Sequence, residues 1–151
     1  MILDERAEFC DATALNTGGA GTYLVGDVID LETARDIGAG HQMYLVIQVD
    51  TAVTSGGSAT VKFHLASDSV AAIAADGSET IHLSTDAIGK ATLVAGYELC
   101  IPVPPQMSMA FERYVGVEQV TGTAAVTAGK INAFLTYDPP ANWTALPDAS
   151  N

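Results

Sequence analysis

Three histidines, two cysteines and 18 acids are the groups with which this chain of 151 residues could do chemistry. Nucleophilic catalysis needs a Ser, Thr or Cys beside a positioned base, and the sequence contains no G-x-S-x-G elbow. His64 and His82 fall mid-strand on the polar side of alternating segments, and His41 lies at a turn. Each therefore reads as an exposed or half-exposed residue rather than a base. A jelly-roll metal centre of the cupin type would place two histidines one residue apart with a Glu soon after. His64 and His82 are 18 positions apart, with no second histidine near either, so the metal's protein ligands would be too few. Asp27 and Asp30 are too sparse for an EF-hand loop, while a loose calcium site of loop carboxylates stays open. Among 18 acids some pair at glycosidase spacing arises by chance, so paired carboxylates discriminate nothing. Residues 16–22 are glycine-rich but lack the Lys and following helix of a phosphate loop, and read as a flexible loop. Cys10 and Cys100 show no CxxC or zinc spacing. Both read as small buried hydrophobes in a reduced compartment rather than as a disulfide. The expectation is a chain with no catalytic residues, no metal and no cofactor.

Composition narrows the alternatives. The net charge of −12 comes from acids scattered singly along the chain, with no acidic tail. Such a surface repels phosphate backbones, which argues against direct nucleic-acid binding. It suits a solubilising exterior or a partner with a basic face. The N-terminus is interrupted by Asp4 and Glu5 and carries no signal-peptide core. The longest apolar runs, near residues 43–47 and 70–75, fall far short of the roughly 20 residues of a spanning helix. Production and use in the cytoplasm, with release only by lysis, is the matching expectation. With 48% apolar and 16% charged residues the chain should fold rather than stay disordered.

The elements that would position these groups are short strands. In residues 42–50, Met43, Leu45, Ile47 and Val49 share one face, and Gln42, Tyr44, Val46 and Gln48 the other. In residues 59–66, Val61, Phe63 and Leu65 oppose Thr60, Lys62 and His64. The intervening Ser55-Gly56-Gly57-Ser58 predicts a hairpin between the two. Further strands are expected at 70–75, 80–84, 97–103, 112–121 and 130–137, with residues 122–129 closing another hairpin. Pro102 and Pro104 exclude a central position for the 97–103 strand. Val28, Ile29 and Leu31 lead into a turn at 36–40, and only residues 32–36 could form a helical turn. About eight strands, with turn signals every 8–15 residues, predict an all-β antiparallel two-sheet sandwich. No linker or fixed repeat divides residues 1–151, so one domain is expected. It has an extended N-terminal segment (about 1–8) and a C-terminal arm (about 138–151).

The chain then reads as a binder or building block. Candidate contact residues are Ile2 and Leu3, then Pro104, Pro105, Met107 and Met109, and finally Pro139, Pro140 and Trp143. Methionines and lone aromatics in irregular segments favour adaptable protein contacts.

Several stretches, taken in order, resemble one known family. They are Met1-Ile2-Leu3-Asp4, Asp27-Val28-Ile29-Asp30-Leu31, Ala34-Arg35-Asp36-Ile37-Gly38-Ala39-Gly40 and Tyr44-Leu45-Val46-Ile47-Gln48-Val49. Gly56-Gly57-Ser58-Ala59-Thr60, Ile101-Pro102-Val103-Pro104, Arg113-Tyr114-Val115-Gly116-Val117 and Ala128-Gly129-Lys130-Ile131-Asn132-Ala133-Phe134-Leu135-Thr136 follow. Together they resemble the small jelly-roll cement (decoration) proteins of tailed-phage heads, as in a Bordetella phage. No single stretch is a signature; their order and spacing carry the likeness, and residues 139–151 match least. The resemblance implies a jelly roll without enzymatic activity that self-associates as a homodimer or other homo-oligomer. It further implies attachment to the major capsid protein on the outer surface of the virion, after assembly in the host cytoplasm. Competing readings are a tail- or fibre-associated sandwich that binds host glycan, and a sandwich hydrolase with two carboxylates in a cleft.

Overall fold

The computed structural model describes residues 4–37, 40–104 and 110–139. A single 3-10 turn, Glu5–Ala7, is capped by the Asp4 carboxylate, which accepts from the Arg6 N–H at 3.0 Å. Nine strands follow: β1 (Glu8–Ala14), β2 (Gly21–Asp30), β3 (Tyr44–Thr54), β4 (Thr60–Asp68), β5 (Thr80–Ser84), β6 (Ile88–Gly89), β7 (Glu98–Pro102), β8 (Tyr114–Gly122) and β9 (Ala128–Thr136). All named pairings are antiparallel. One sheet has the order β1-β9-β3-β7; the other runs β2-β8-β4-β5, with β6 also paired to β4. This is the expected two-sheet sandwich, and its strand order is that of a jelly roll.

The alternation read from the sequence decides which face each strand buries. Leu45, Ile47 and Val49 of β3 meet Val61, Phe63 and Leu65 of β4 in one core with Val115, Val117, Ile131 and Leu135. Each such side chain, fully buried, contributes about 1.5–3 kcal/mol. Tyr44, Val46 and Gln48 lie on the outer face of the first sheet, beside Phe134 and Asn132 of β9. Val46 and its cross-strand partner Phe134 are nevertheless buried, so this face too is covered.

The connections differ from the local reading. β3 and β4 do not form a hairpin: β3 pairs with β7 and β9, and β4 pairs with β5, β6 and β8. Residues 122–129 likewise carry the chain from β8 in one sheet to β9 in the other. A glycine-rich turn fits either a hairpin or a sheet-to-sheet arch. Here Val53 and Ala59, on either side of the loop, are both buried in the core. Residues 70–75 are not a strand; Val70 is exposed and only Ile73 is buried. That segment folds over the outer face of the second sheet, where a Cβ built on Gly116 would lie 2.8 Å from Leu24 Cδ1 and 2.9 Å from Ile73 Cδ1. Residues 32–36 form no helical turn, and Arg35 instead bridges to Phe111.

β1 and the start of β2 lay outside the sequence reading. β1 has two register shifts against β9 and a left-handed Ala12 at φ 44, which scramble its alternation. β2 breaks register between Val25 and Ile29. At that bulge Gly26 has φ +71, and a Cβ there would sit 2.2 Å from the Phe9 carbonyl oxygen. Only glycine fits such an approach. Residues 21–22, expected as loop, begin β2. The preceding turn is held by the Gln119 side chain, which accepts from Asn16 N–H at 2.7 Å and donates to Asn16 O at 3.0 Å.

Candidate functional site

The histidines sit in defined environments rather than on free surface. His82 is half-buried, its Nε2 2.7 Å from Ser67 Oγ and its ring 4.0 Å from that of Phe111. A Ser–His contact at this distance has the geometry of a nucleophile and its base. Ser67, however, is fully buried, and its Oγ also accepts the Glu112 N–H at 3.0 Å. Thr80 Oγ1 donates to Glu112 Oε1 at 2.9 Å. That hydroxyl has no exposed surface, and the group pins residues 111–112 across β4 and β5.

His64 and Glu118 face each other across β4 and β8 on the outer face of the second sheet. His64 Nδ1 lies 3.6 Å from Glu118 Oε2, and neither that nitrogen nor either carboxylate oxygen has a hydrogen-bond partner. Glu118 is 1% exposed. Burial, and then the charge of Glu79, push the Glu118 carboxyl above its ordinary value. Burial first, then Lys62, push His64 below its own, with Glu79 opposing. Both shifts favour the uncharged forms. His41 is exposed and meets Tyr137 edge-on at 6.1 Å. Among the described residues no three His, Cys, Asp or Glu side chains converge as a metal site.

Cys10 and Cys100 are both free thiols. Cys10 pairs with Ala133, Ala133 with Ile47 and Ile47 with Leu99, so the cysteines lie at opposite edges of one sheet. Three strand spacings, about 14 Å, exceed the roughly 4.4–6.8 Å between Cα atoms in a disulfide. Cys10 is buried, and burial pushes its thiol up to about 11. Cys100 departs from the sequence reading: at the edge strand β7 it is only half-buried.

What the geometry offers a ligand is an apolar cleft at one end of the sandwich, about 330 Å³ in volume. Ile29, Leu31, Met43, Val115 and Leu135 line it, together with Asp4, Arg6 and Tyr137. Among the described residues Arg6 and Asp4 are its charged lining groups. Such a surface can take an apolar side chain or segment. Of the contact residues picked from sequence, Pro104 is exposed and Pro139 is buried. Ile2, Leu3, Pro105, Met107, Met109, Pro140 and Trp143 lie outside the described residues. Ile2 and Leu3 directly precede Asp4, and Pro140 follows Tyr137 by three positions, so two of the three picked groups adjoin cleft residues in sequence.

Sequence reasoning missed the Ser67–His82 and His64–Glu118 contacts. The available signal was the run of Glu118, Gln119 and Thr121 inside an otherwise apolar strand, since a buried polar residue must find a partner or shift its ionisation.

Among the described residues no helix is long and apolar enough to cross a membrane. No curated protein matches the chain. A family model, Bbp16, matches residues 9–135, which run from within β1 to within β9 and leave both ends of the chain outside. A match over this much of the chain settles the family: the protein belongs to the Bbp16 family, named after a Bordetella bacteriophage protein.

Proposed function

We propose that this protein is a non-enzymatic capsid cement, or decoration, protein of a tailed phage. It binds the outer surface of the head where capsomers of the major capsid protein meet, and it stabilises the shell. The observation that carries this reading is membership of a phage protein family over nearly the whole jelly roll. Three further features support it. The Ser67 hydroxyl is fully buried and held by the Glu112 N–H as well as by His82. The cleft is lined mainly by apolar side chains. A net charge of −12 suits a shell exterior, away from the packaged genome.

The physical mechanism is linkage. A protein that spans a seam binds the assembled shell better than free subunits, and so shifts the equilibrium toward the shell by mass action. Self-association multiplies the contacts made by each particle and raises effective concentration. A symmetric lattice favours self-complementary contacts of this kind. No cofactor, nucleic acid or membrane enters the scheme. The two chain ends, residues 1–4 and 139–151, supply part of the head contact in this reading.

The test is to mix the purified protein with heads that lack it. Saturable binding at fixed stoichiometry, with increased resistance of the heads to heat, is expected; absence of binding overturns the reading. Truncating either end should lower occupancy on heads. Full occupancy by both truncated forms would remove the ends from the mechanism.

A further inference from the structure

Val46 and Phe134 are buried where the sandwich core does not account for them. They are cross-strand partners in the sheet β1-β9-β3-β7. Their chain neighbours Leu45, Ile47, Ala133 and Leu135 fill the core, so alternation turns the pair to the opposite, outer face. Glu8 and Cys100, their other cross-strand partners, are only half-buried. Side chains stand roughly perpendicular to a sheet, so lateral neighbours shield their flanks and leave their tips open. Yet Val46 is 0% and Phe134 2% exposed, which requires atoms above them. On the other sheet residues 70–75 supply such a layer through Ile73. The named elements of the described chain supply none here.

Chain reach selects the cover among the remaining stretches, residues 1–3, 38–39, 105–109 and 140–151. Residues 38–39 are too few, and residues 1–3 leave from Asp4, which lines the cleft beside inward-facing Leu135. Residues 105–109 must bridge from Pro104 to Phe111, whose ring packs on His82 of the second sheet. Val46 lies opposite Cys100, four residues before Pro104, about 13 Å back along the strand. The links from Pro104 to Ala110 span about 20 Å at most, less than that trip and its return. Residues 140–151 instead leave from the outer face itself. Thr136 faces outward opposite Tyr44. Its Oγ1 donates to Asp138 O at 3.4 Å and accepts the Asp138 N–H at 3.1 Å. This turn draws the chain onto the outer face, and Pro139, just past it, is buried. Phe134 lies only about 7 Å back along β9 from Thr136. Trp143 can stand up to about 13 Å beyond Pro139, and an aromatic of its size buries about 150–250 Å², enough to cap both side chains.

We propose that the chain's own segment 140–147 straps the outer face of the first sheet, with the Trp143 indole seated on Val46 and Phe134. An arm that leaves this seat for another surface exposes an apolar strip behind it. The inference goes beyond the proposed function and is tested on the free protein, so head binding stays a separate question.

Trp143 is the single tryptophan of the chain, so it reports on its own seat. In the unaltered protein its emission should be blue-shifted from that of the urea-unfolded chain and shielded from iodide, at every protein concentration. Cys100, beside Val46 on the same face, gives a second reading. A bimane label goes there because Cys10 is buried with its thiol pushed up to about 11. The indole should quench that label, and Trp143→Phe should relieve the quenching. A chain cut after Pro139 should keep its circular dichroism and gain binding of an apolar dye, whereas removal of residues 1–3 should gain none. Both emission readings use the full-length chain, so they decide the matter even where the cut chain fails to fold. Emission at the unfolded wavelength overturns the proposal. So does a blue shift that vanishes on dilution, which places the indole on a second copy. Bimane emission indifferent to Trp143→Phe, or dye binding gained by removing residues 1–3 instead, also overturns it.

Discussion

Glu118 and His64 stand opposite one another on adjacent strands, 3.6 Å apart, with no other hydrogen-bonding partner for the carboxylate or for His64 Nδ1. The sign of the pH dependence follows from their shifts. A carboxyl raised in the fold holds its proton more tightly than in the unfolded chain. Its stabilising effect is complete below the ordinary carboxyl value of about 4.3 and is lost as pH rises through the folded value. A lowered histidine has the opposite slope, losing stability as pH falls below about 6.5 toward its folded value. Glu118→Gln removes the first slope. At pH 8 the variant should be more stable than the native chain by about 1–3 kcal/mol, the scale for an unsatisfied buried polar group. The gain should shrink toward pH 4. Urea unfolding at both pH values decides it: a gain that grows toward acid refutes the assignment.

Gly26, at the bulge within β2, is the tightest backbone constraint where β2 packs against β1. Gly26→Ala adds a Cβ 2.2 Å from the Phe9 carbonyl oxygen in a left-handed conformation. The expected loss is about 2–4 kcal/mol, combining conformational strain and steric conflict. Gly56→Ala is the control, since nothing lies within 4 Å of its Cβ, and it should change stability by less than about 0.5 kcal/mol. Equal effects from the two substitutions would contradict the packing described.

Ser67 ties two parts of the chain together through one oxygen. Ser67→Ala deprives the Glu112 N–H of its acceptor and the His82 ring of its Ser67 hydrogen bond, and should destabilise by about 1–3 kcal/mol. Amide exchange at Glu112 should quicken more than exchange at Leu45 in the central strand β3. Uniform quickening would show a global rather than a local effect.

The two thiols should titrate as distinct classes. In dilute native protein at pH 8, one equivalent should react readily with a disulfide reagent, namely Cys100. The second, Cys10, should react only on unfolding, because burial holds its thiol near 11. Reducing agent should leave the unfolding midpoint unchanged, since no internal disulfide spans the sheet. A reductant-dependent midpoint would contradict the register.

The strands legible in the sequence are those whose alternation matches their burial. In β4, Val61, Phe63 and Leu65 are core residues, as the period of two predicts, and β5 ends where the pattern ends. The pairing was not legible. A strand's own residues say which face is buried, not which strand lies beside it, so the loop at Gly56-Gly57 read as a hairpin when it is an arch. β1 escaped notice because its bulges and the left-handed Ala12 break the period that reveals a strand. The His64–Glu118 and Ser67–His82 contacts depend on cross-strand register and bulges, which local patterning does not encode. The edge position of β7 was legible for a local reason: Pro102 cannot donate to a neighbour.

β9 lies between β1 and β3, so the first strand of the described chain pairs with the last. A nascent chain on the ribosome therefore cannot assemble its first sheet stepwise. Leu45, Ile47 and Val49 of β3 lack their β9 neighbours until Ala128–Thr136 emerge, and β1 has no partner at all until then. Folding must be a late, concerted event governed by non-local pairing and correspondingly slow. During synthesis the two halves of the sandwich depend on being kept apart from other chains until the final strand closes the sheet.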